Sequence, residues 1–303
     1  MEKRPFGKTG EQISILGFGG APVGYLPTER DDVKRLLNQL LDDGVNLIDT
    51  AASYQGSEEL IADAIGHRRK EFFLVSKCGG ALDDIDAPEW TPSLITQTVD
   101  RSLRRLRTDR LDLMLLHTCS LELLKQGDVL AALVAARDAG KVRFVGFSGD
   151  NEAAAFATAL PDVAVIQTSI NLADQHNIDA VLPSAREHNV GVMAKRPVAN
   201  AAWKDISQQP GMYKEYARDY TARLAAMKLD PAQLGVASWS ELALRFTLSQ
   251  PGVTTAIVGT TNPANARANA EAAAKGPLPA DVVTKIREAF NRANPHRDWI
   301  GLT

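Results

Sequence analysis

Two cysteines in 303 residues cannot build a disulfide framework, so the chain must hold itself together by burial and hydrogen bonding. No apolar run approaches the ~18–20 residues that a membrane helix needs. The opening Met1-Glu2-Lys3-Arg4-Pro5-Phe6-Gly7 lacks the apolar segment of a secretory signal. Charge has no bias either. A net charge of −3 with 23% charged residues argues against nucleic acid or an anionic membrane as partner. A complete G-x-G-x-x-G is missing from the first strand-to-helix turn, where Gly17, Gly19 and Gly20 run into Pro22, and this disfavours an open dinucleotide-binding sheet. His67, His176, His188 and His296 show no metal-ligand spacing. There is no internal repeat beyond a strand–helix rhythm. These absences predict a soluble, cytoplasmic, single-domain chain over residues 1–303.

What is present is that rhythm. Lys3 to Ser14 reads as a hairpin around Gly7-Lys8-Thr9-Gly10, and Ile13 to Phe18 as a first core strand. Arg30 to Asp43 carries leucines at 36, 37, 40 and 41, a helical stripe ending at Gly44. Further strands are expected at 45–49, 72–77, 111–117, 142–148, 163–168, 190–195 and 253–258. Helices lie between them, one capped by Ser57 and one opening on Thr91-Pro92. An irregular span from Arg196 to Gly211 precedes helical stretches at Tyr213–Met227 and Gln233–Ser249. Near-continuous apolar strands imply a sheet covered on both faces. Eight of them in alternation with helices predict an α/β fold, a (β/α)8 TIM barrel with an N-terminal β-hairpin and extra helices.

Three successive strands end on titratable groups: Asp49, Lys77 and His117. In a barrel these ends face one mouth, and neighbouring strands lie ~4.8 Å apart. Tyr54 follows Asp49 by five residues, where its ring can lean over the same mouth. An ammonium held by a carboxylate favours phenolate and makes the phenol a proton donor to a carbonyl oxygen. The imidazole can orient that oxygen. None of the four supplies a hydride, so a carbonyl reduction would need a cofactor.

Asp49, Tyr54, Lys77 and His117, in this order, resemble the catalytic tetrad of the aldo-keto reductases. Asn46-Leu47-Ile48-Asp49-Thr50-Ala51-Ala52-Ser53-Tyr54 and Asp112-Leu113-Met114-Leu115-Leu116-His117 are similar to that family's signatures, and the resemblance runs from about Phe6 to Asn269. It implies reduction of a small aldehyde or ketone by NADPH or NADH. Tyr54 would be the general acid, Lys77 its activator, Asp49 the holder of Lys77, and His117 the group orienting the carbonyl. It also implies that Ser148 and Gln167 meet the nicotinamide carboxamide, with Asp150 or Asn151 standing in where the family's asparagine is replaced by Gly149. Lys195 or Arg196 would pack on the nicotinamide. Gly259, Thr260, Thr261, Asn265 and Asn269 would hold the adenosine phosphate, and Gly20, with Gly19 and Ala21, would line the floor. The family's basic clamp for a 2′-phosphate is missing at Gly259 and Asn265, which makes NADH use an expectation. Tyr25, Trp90, Trp203 and Trp299 are candidates for the substrate wall, and Cys78 and Cys119 read as free thiols. Two rival readings are a non-turnover NADP(H)-binding sensor on the same barrel and a Schiff-base enzyme acting through Lys77.

Overall fold

The computed structural model describes residues 1–26, 29–209 and 214–302. Strands β1 (Lys3–Pro5) and β2 (Gln12–Ser14) pair antiparallel, with Arg4 opposite Ile13. Eight parallel strands follow: β3 (Leu16–Gly19), β4 (Leu47–Asp49), β5 (Phe73–Cys78), β6 (Leu111–His117), β7 (Val142–Ser148), β8 (Val163–Ser169), β9 (Gly191–Lys195) and β10 (Thr255–Val258). Each pairs with the next in sequence, and β10 closes on β3, giving a complete barrel wrapped by helices.

Side chains alternate across each strand, and this period of two divides the residues between two cores. Leu47, Phe73, Val75, Leu113, Leu115, Val165, Met193 and Ile257 form the barrel interior. Phe6 and Ile13 of the hairpin plug it from below. Phe6 is fully buried, with its ring 5.5 Å from Phe73, and a Cβ on Gly191 would fall 2.5 Å from the Phe6 ring. The alternate residues, including Ile48, Leu74, Met114, Leu116 and Ile166, join the outer core between strands and helices. Two residues above the apolar interior layer, the same parity places Asp49, Lys77, His117, Gln167 and Lys195. The lower mouth is packed shut and the upper one is polar.

Local signals account for several helix ends. Thr91 accepts from the Leu94 N–H, with Pro92 as the first helical residue. Asn262 caps the helix after β10 by accepting from Ala264 N, ahead of Pro263. Ser57 departs from the expected pattern. Gly56 takes the cap position in a left-handed conformation, and the Ser57 hydroxyl instead binds Thr50 Oγ1 at 2.9 Å and the Gly20 carbonyl at 3.1 Å. The predicted strand starts also move: Ile13 belongs to the hairpin, and β4 begins at Leu47 rather than Val45. Between β6 and β7, Gly127 divides the helical stretch into Leu121–Gln126 and Asp128–Asp138. Between β8 and β9 stand two short helices, His176–Ala180 and Leu182–Glu187, with Pro183 at the start of the second. The helix expected from Gln233 begins at Trp239, capped by Ser238. Gly211, Tyr213 and Thr303 lie outside the described residues. No helix among the described residues is long and apolar enough to cross a membrane.

Candidate active site

Asp49, Lys77 and His117 end β4, β5 and β6, so barrel closure alone makes them neighbours. Lys77 is fully buried, and its Nζ donates to Asp49 Oδ2 and to the Thr50 carbonyl, each at 2.7 Å. Burial pushes the Lys77 ammonium down from its usual range and the Asp49 carboxyl up, and each is the other's chief counterweight. Breaking either half would strand a charge in the core, which is why the pair is held from several sides.

Tyr54 sits on the turn between β4 and the next helix. Its ring centroid is 5.0 Å from Lys77 Nζ and 6.0 Å from the His117 ring, with the two rings edge to face. The turn itself is pinned. Thr50 N donates to Val75 O, Ala52 N to Lys77 O, and Ser57 N to Tyr54 O. Burial holds the His117 imidazole well below its usual value. The cations of Lys77, Lys195 and Arg196 act in the same direction, so the ring is neutral near pH 7.

A contact that no local pattern announces joins opposite walls. Gln167 on β8 donates through Nε2 to Asp49 Oδ1 at 2.9 Å, and Ser148 on β7 donates to Gln167 Oε1 at 3.0 Å. β4 and β8 stand four strands apart in the closed order, so this bond spans the mouth. Ser148 and Gln167, expected only as cofactor ligands, are thus tied to the Lys77–Asp49 pair.

The two proposed substitutes for the family's asparagine are engaged elsewhere. Asp150 Oδ1 accepts from Thr168 Oγ1, Ser169 N and Asn177 Nδ2, and its Oδ2 pairs with Lys195 Nζ at 2.9 Å. Burial pushes the Asp150 carboxyl up, but Lys195 and these hydrogen bonds outweigh it and leave it below its ordinary value. Asn151 brackets Gly301, accepting from its N–H at 2.7 Å and donating to its carbonyl at 2.9 Å. Residues 300–302 are strapped across the ends of β7, β8 and β9. Arg223 donates to the Ile300 carbonyl, Leu302 N to Asp174 Oδ2, and Ser169 Oγ and Arg196 to the Leu302 carbonyl. The sequence carried a signal for Asp150, one more polar residue just past a strand. For Asp174 and Arg223 it carried none.

At the other side of the mouth, Gly20 N donates to Asp49 O at 2.7 Å, so Gly20 braces the start of the turn that carries Tyr54. A Cβ there would lie 2.9 Å from that same oxygen. After β10, Thr260 Oγ1 accepts from Asn262 N and Thr261 is half-buried. On the helix that follows, Asn265 is exposed and Asn269 is buried. Among the aromatic candidates, the Tyr25 ring meets that of Tyr54 at 5.4 Å. Trp203 stacks on Trp239, Trp299 packs on Phe290, and Trp90 packs beside Gly79. Cys78 and Cys119 are buried free thiols, pushed upwards by burial, Cys119 to about 12, which leaves them inert.

The chain matches the aldo/keto reductase family over residues 15–291. It is 29% identical to the uncharacterized oxidoreductase YqkF of Bacillus subtilis, over 90% of this chain and 91% of that protein. It is 25% identical to the L-galactose dehydrogenase of Arabidopsis thaliana, over 86% and 84% of the two chains. The holo form of aldo-keto reductase AKR11C1 from Bacillus halodurans superimposes with a TM-score of 0.80 at 25% identity, covering 95% of this chain and 96% of that one. A closed eight-stranded barrel, a buried Lys77–Asp49 pair at its mouth and a match over most of the sequence agree: the chain belongs to the aldo/keto reductase family and is an NAD(P)-dependent oxidoreductase.

Proposed function

We propose that the protein, acting as one barrel unit, reduces a small aldehyde or ketone to the alcohol with NADPH or NADH, reversibly, and that Tyr54 is the proton donor. The observation that carries this reading is the Lys77 ammonium, anchored by Asp49 and the Thr50 carbonyl and 5.0 Å from the Tyr54 ring centroid. That ammonium stabilises the phenolate left when Tyr54 gives its proton to the carbonyl oxygen. Asp49 keeps Lys77 charged and fixed, and Gln167 fixes Asp49 in turn. A neutral His117 can donate one ring N–H to the carbonyl oxygen and so orient it without competing as an acid.

The donor set suits a nicotinamide dinucleotide at two places. Gln167 Nε2 carries two hydrogens, of which Asp49 engages one, and with the Ser148 hydroxyl beside it a carboxamide could be bound. Gly259, Thr260 and Thr261 lead into the helix that opens at Pro263, whose positive end favours phosphate, and Asn265 and Asn269 lie on that helix. Lys195 and Arg196 lie between the two. When bound, the reduced nicotinamide supplies the hydride that no side chain here can give. The Tyr25 ring above Tyr54 would give the substrate an apolar wall.

The test is Tyr54→Phe, assayed by NADPH and NADH oxidation with a panel of small aldehydes, beside cofactor titration by fluorescence. Turnover should fall by about 10²-fold or more, as for loss of a general acid, with cofactor affinity nearly unchanged. Turnover near wild type would refute the assignment.

A further inference from the structure

Arg101 lies on the buried face of the helix Pro92–Leu106, among Leu94, Ile95 and Val99, and is 7% exposed. An arginine on such a face needs partners to offset its lost hydration. Its Nε donates to Asp84 Oδ2 at 2.8 Å, and Glu58 Oε2 lies 3.8 Å from Nη1. The remaining contact is to the backbone of the turn that carries Tyr54: Nη1 donates to the Ala52 carbonyl at 2.9 Å. The N–H of the same residue donates to the Lys77 carbonyl at 3.2 Å. Ala52 is therefore held from both sides two residues before Tyr54, by the lysine strand on one side and by Arg101 on the other. Glu58 belongs to the same bracket, since its Oε1 accepts from Ser76 Oγ, next to Lys77, at 2.8 Å.

We propose that Arg101 is a positioning residue for Tyr54, acting through the Ala52 carbonyl to set the phenol against the Lys77 ammonium. This rests on the reading of Tyr54 as proton donor. A charge-assisted hydrogen bond to a buried carbonyl is a stiff restraint, and small displacements of a catalytic group cost rate out of proportion to their size. Arg101 touches neither substrate nor cofactor, so its removal should alter the chemical step and the acidity of Tyr54 while leaving binding in place.

The experiment compares wild type, Arg101→Met, Arg101→Lys and Tyr54→Phe. The carbonyl probe is 4-nitrobenzaldehyde, with whichever of NADH and NADPH quenches tryptophan fluorescence at the lower concentration. Arg101→Met should lower kcat by about ten- to a hundredfold, hold the KM of the aldehyde and the Kd of the cofactor within about twofold, and move the alkaline limb of the kcat profile up by about half a pH unit or more. Arg101→Lys, which keeps a cationic donor, should recover most of the loss. An unchanged kcat and alkaline limb in a folded Arg101→Met protein would overturn the proposal, as would a cofactor Kd that rises in step with the loss. Should Arg101→Met fail to fold, Asp84→Asn loosens the guanidinium from a half-exposed site and should give a several-fold fall in kcat with the same shift of the limb. No change there overturns the proposal equally. Retained turnover in Tyr54→Phe would instead sink the proton-donor reading itself, so the two failures are distinguishable.

Discussion

Asp174 is the place where structure translates most directly into a measurable energy. Its carboxylate is buried in the loop after β8, where Oδ2 accepts from Tyr220 OH at 2.9 Å and from Leu302 N at 3.1 Å. Oδ1 has no hydrogen-bond partner among the described residues. Burial first, and the nearby Asp150 charge as well, raise the carboxyl from 3.8 to about 6, against the pull of Leu302, Tyr220 and Arg223. A folded-state value above the unfolded one means that the native chain binds the proton more tightly. Stability is therefore fullest below about pH 4 and declines as pH rises towards 6, by about 1.4 kcal/mol per unit. The accumulated loss at neutral pH is about 3 kcal/mol. Asp174→Asn removes that dependence. Its amide oxygen keeps both donors, but its NH2 would take the place of Oδ1 as a buried donor, at a cost of about 1–3 kcal/mol. At pH 7.5 the variant should thus run from parity to about 2 kcal/mol more stable, and at pH 4 it should be the less stable protein. Urea unfolding followed by tryptophan fluorescence between pH 4 and 7.5 measures the difference between the two, in which titrating groups remote from Asp174 cancel. A difference that stays constant across that range, or that favours wild type as pH rises, would refute the reasoning.

Lys77→Met should lower turnover by about 10²-fold or more, as Tyr54→Phe does, and cost about 3–5 kcal/mol of stability at pH 7, because Asp49 is left buried without its counter-charge; wild-type activity in that variant would contradict the proposed mechanism. The His117 imidazole, held well below its usual 6.5, should stay neutral through pH 6–8. The folded chain then takes up fewer protons than the unfolded one, so the stability tied to His117 is present above about pH 6.5 and is lost as pH falls. A ring-proton resonance of His117 that titrates near 6.5 would count against this. Ala199, Asn200 and Ala201 all have left-handed φ, 45°, 49° and 54°, in the segment after β9. Ala201→Gly should relieve strain and raise stability by about 0.5–1 kcal/mol, read as a higher Tm; a lower Tm would show that the alanine methyl contributes more by packing than it costs in backbone strain.

What the sequence determined by itself was whatever depends on short range. The alternation along Leu47-Ile48-Asp49 and Phe73-Leu74-Val75-Ser76-Lys77 assigns each side chain to the interior or to the helices, and it puts Asp49, Lys77 and His117 one layer above the apolar fill. Thr91-Pro92 and Asn262-Pro263 open helices because a cap needs only the next three residues. The barrel followed from counting such strands, and the resemblance to a family followed from their polar ends. Only tertiary structure could decide which distant groups meet once the sheet closes. Gln167 reaches Asp49 across 118 residues of chain and the full width of the mouth. Asp150 turns to Lys195, and Asn151 brackets Gly301. Ser57, an apparent helix cap, spends its hydroxyl on Gly20 and Thr50 because the closing barrel brings that backbone within reach. Arg101 looks like one more charge on a helix until the packed structure sets the Ala52 carbonyl against it. Local pattern fixes which face a side chain takes, whereas its partner on that face depends on strand stagger and loop path, which are properties of the whole closed sheet.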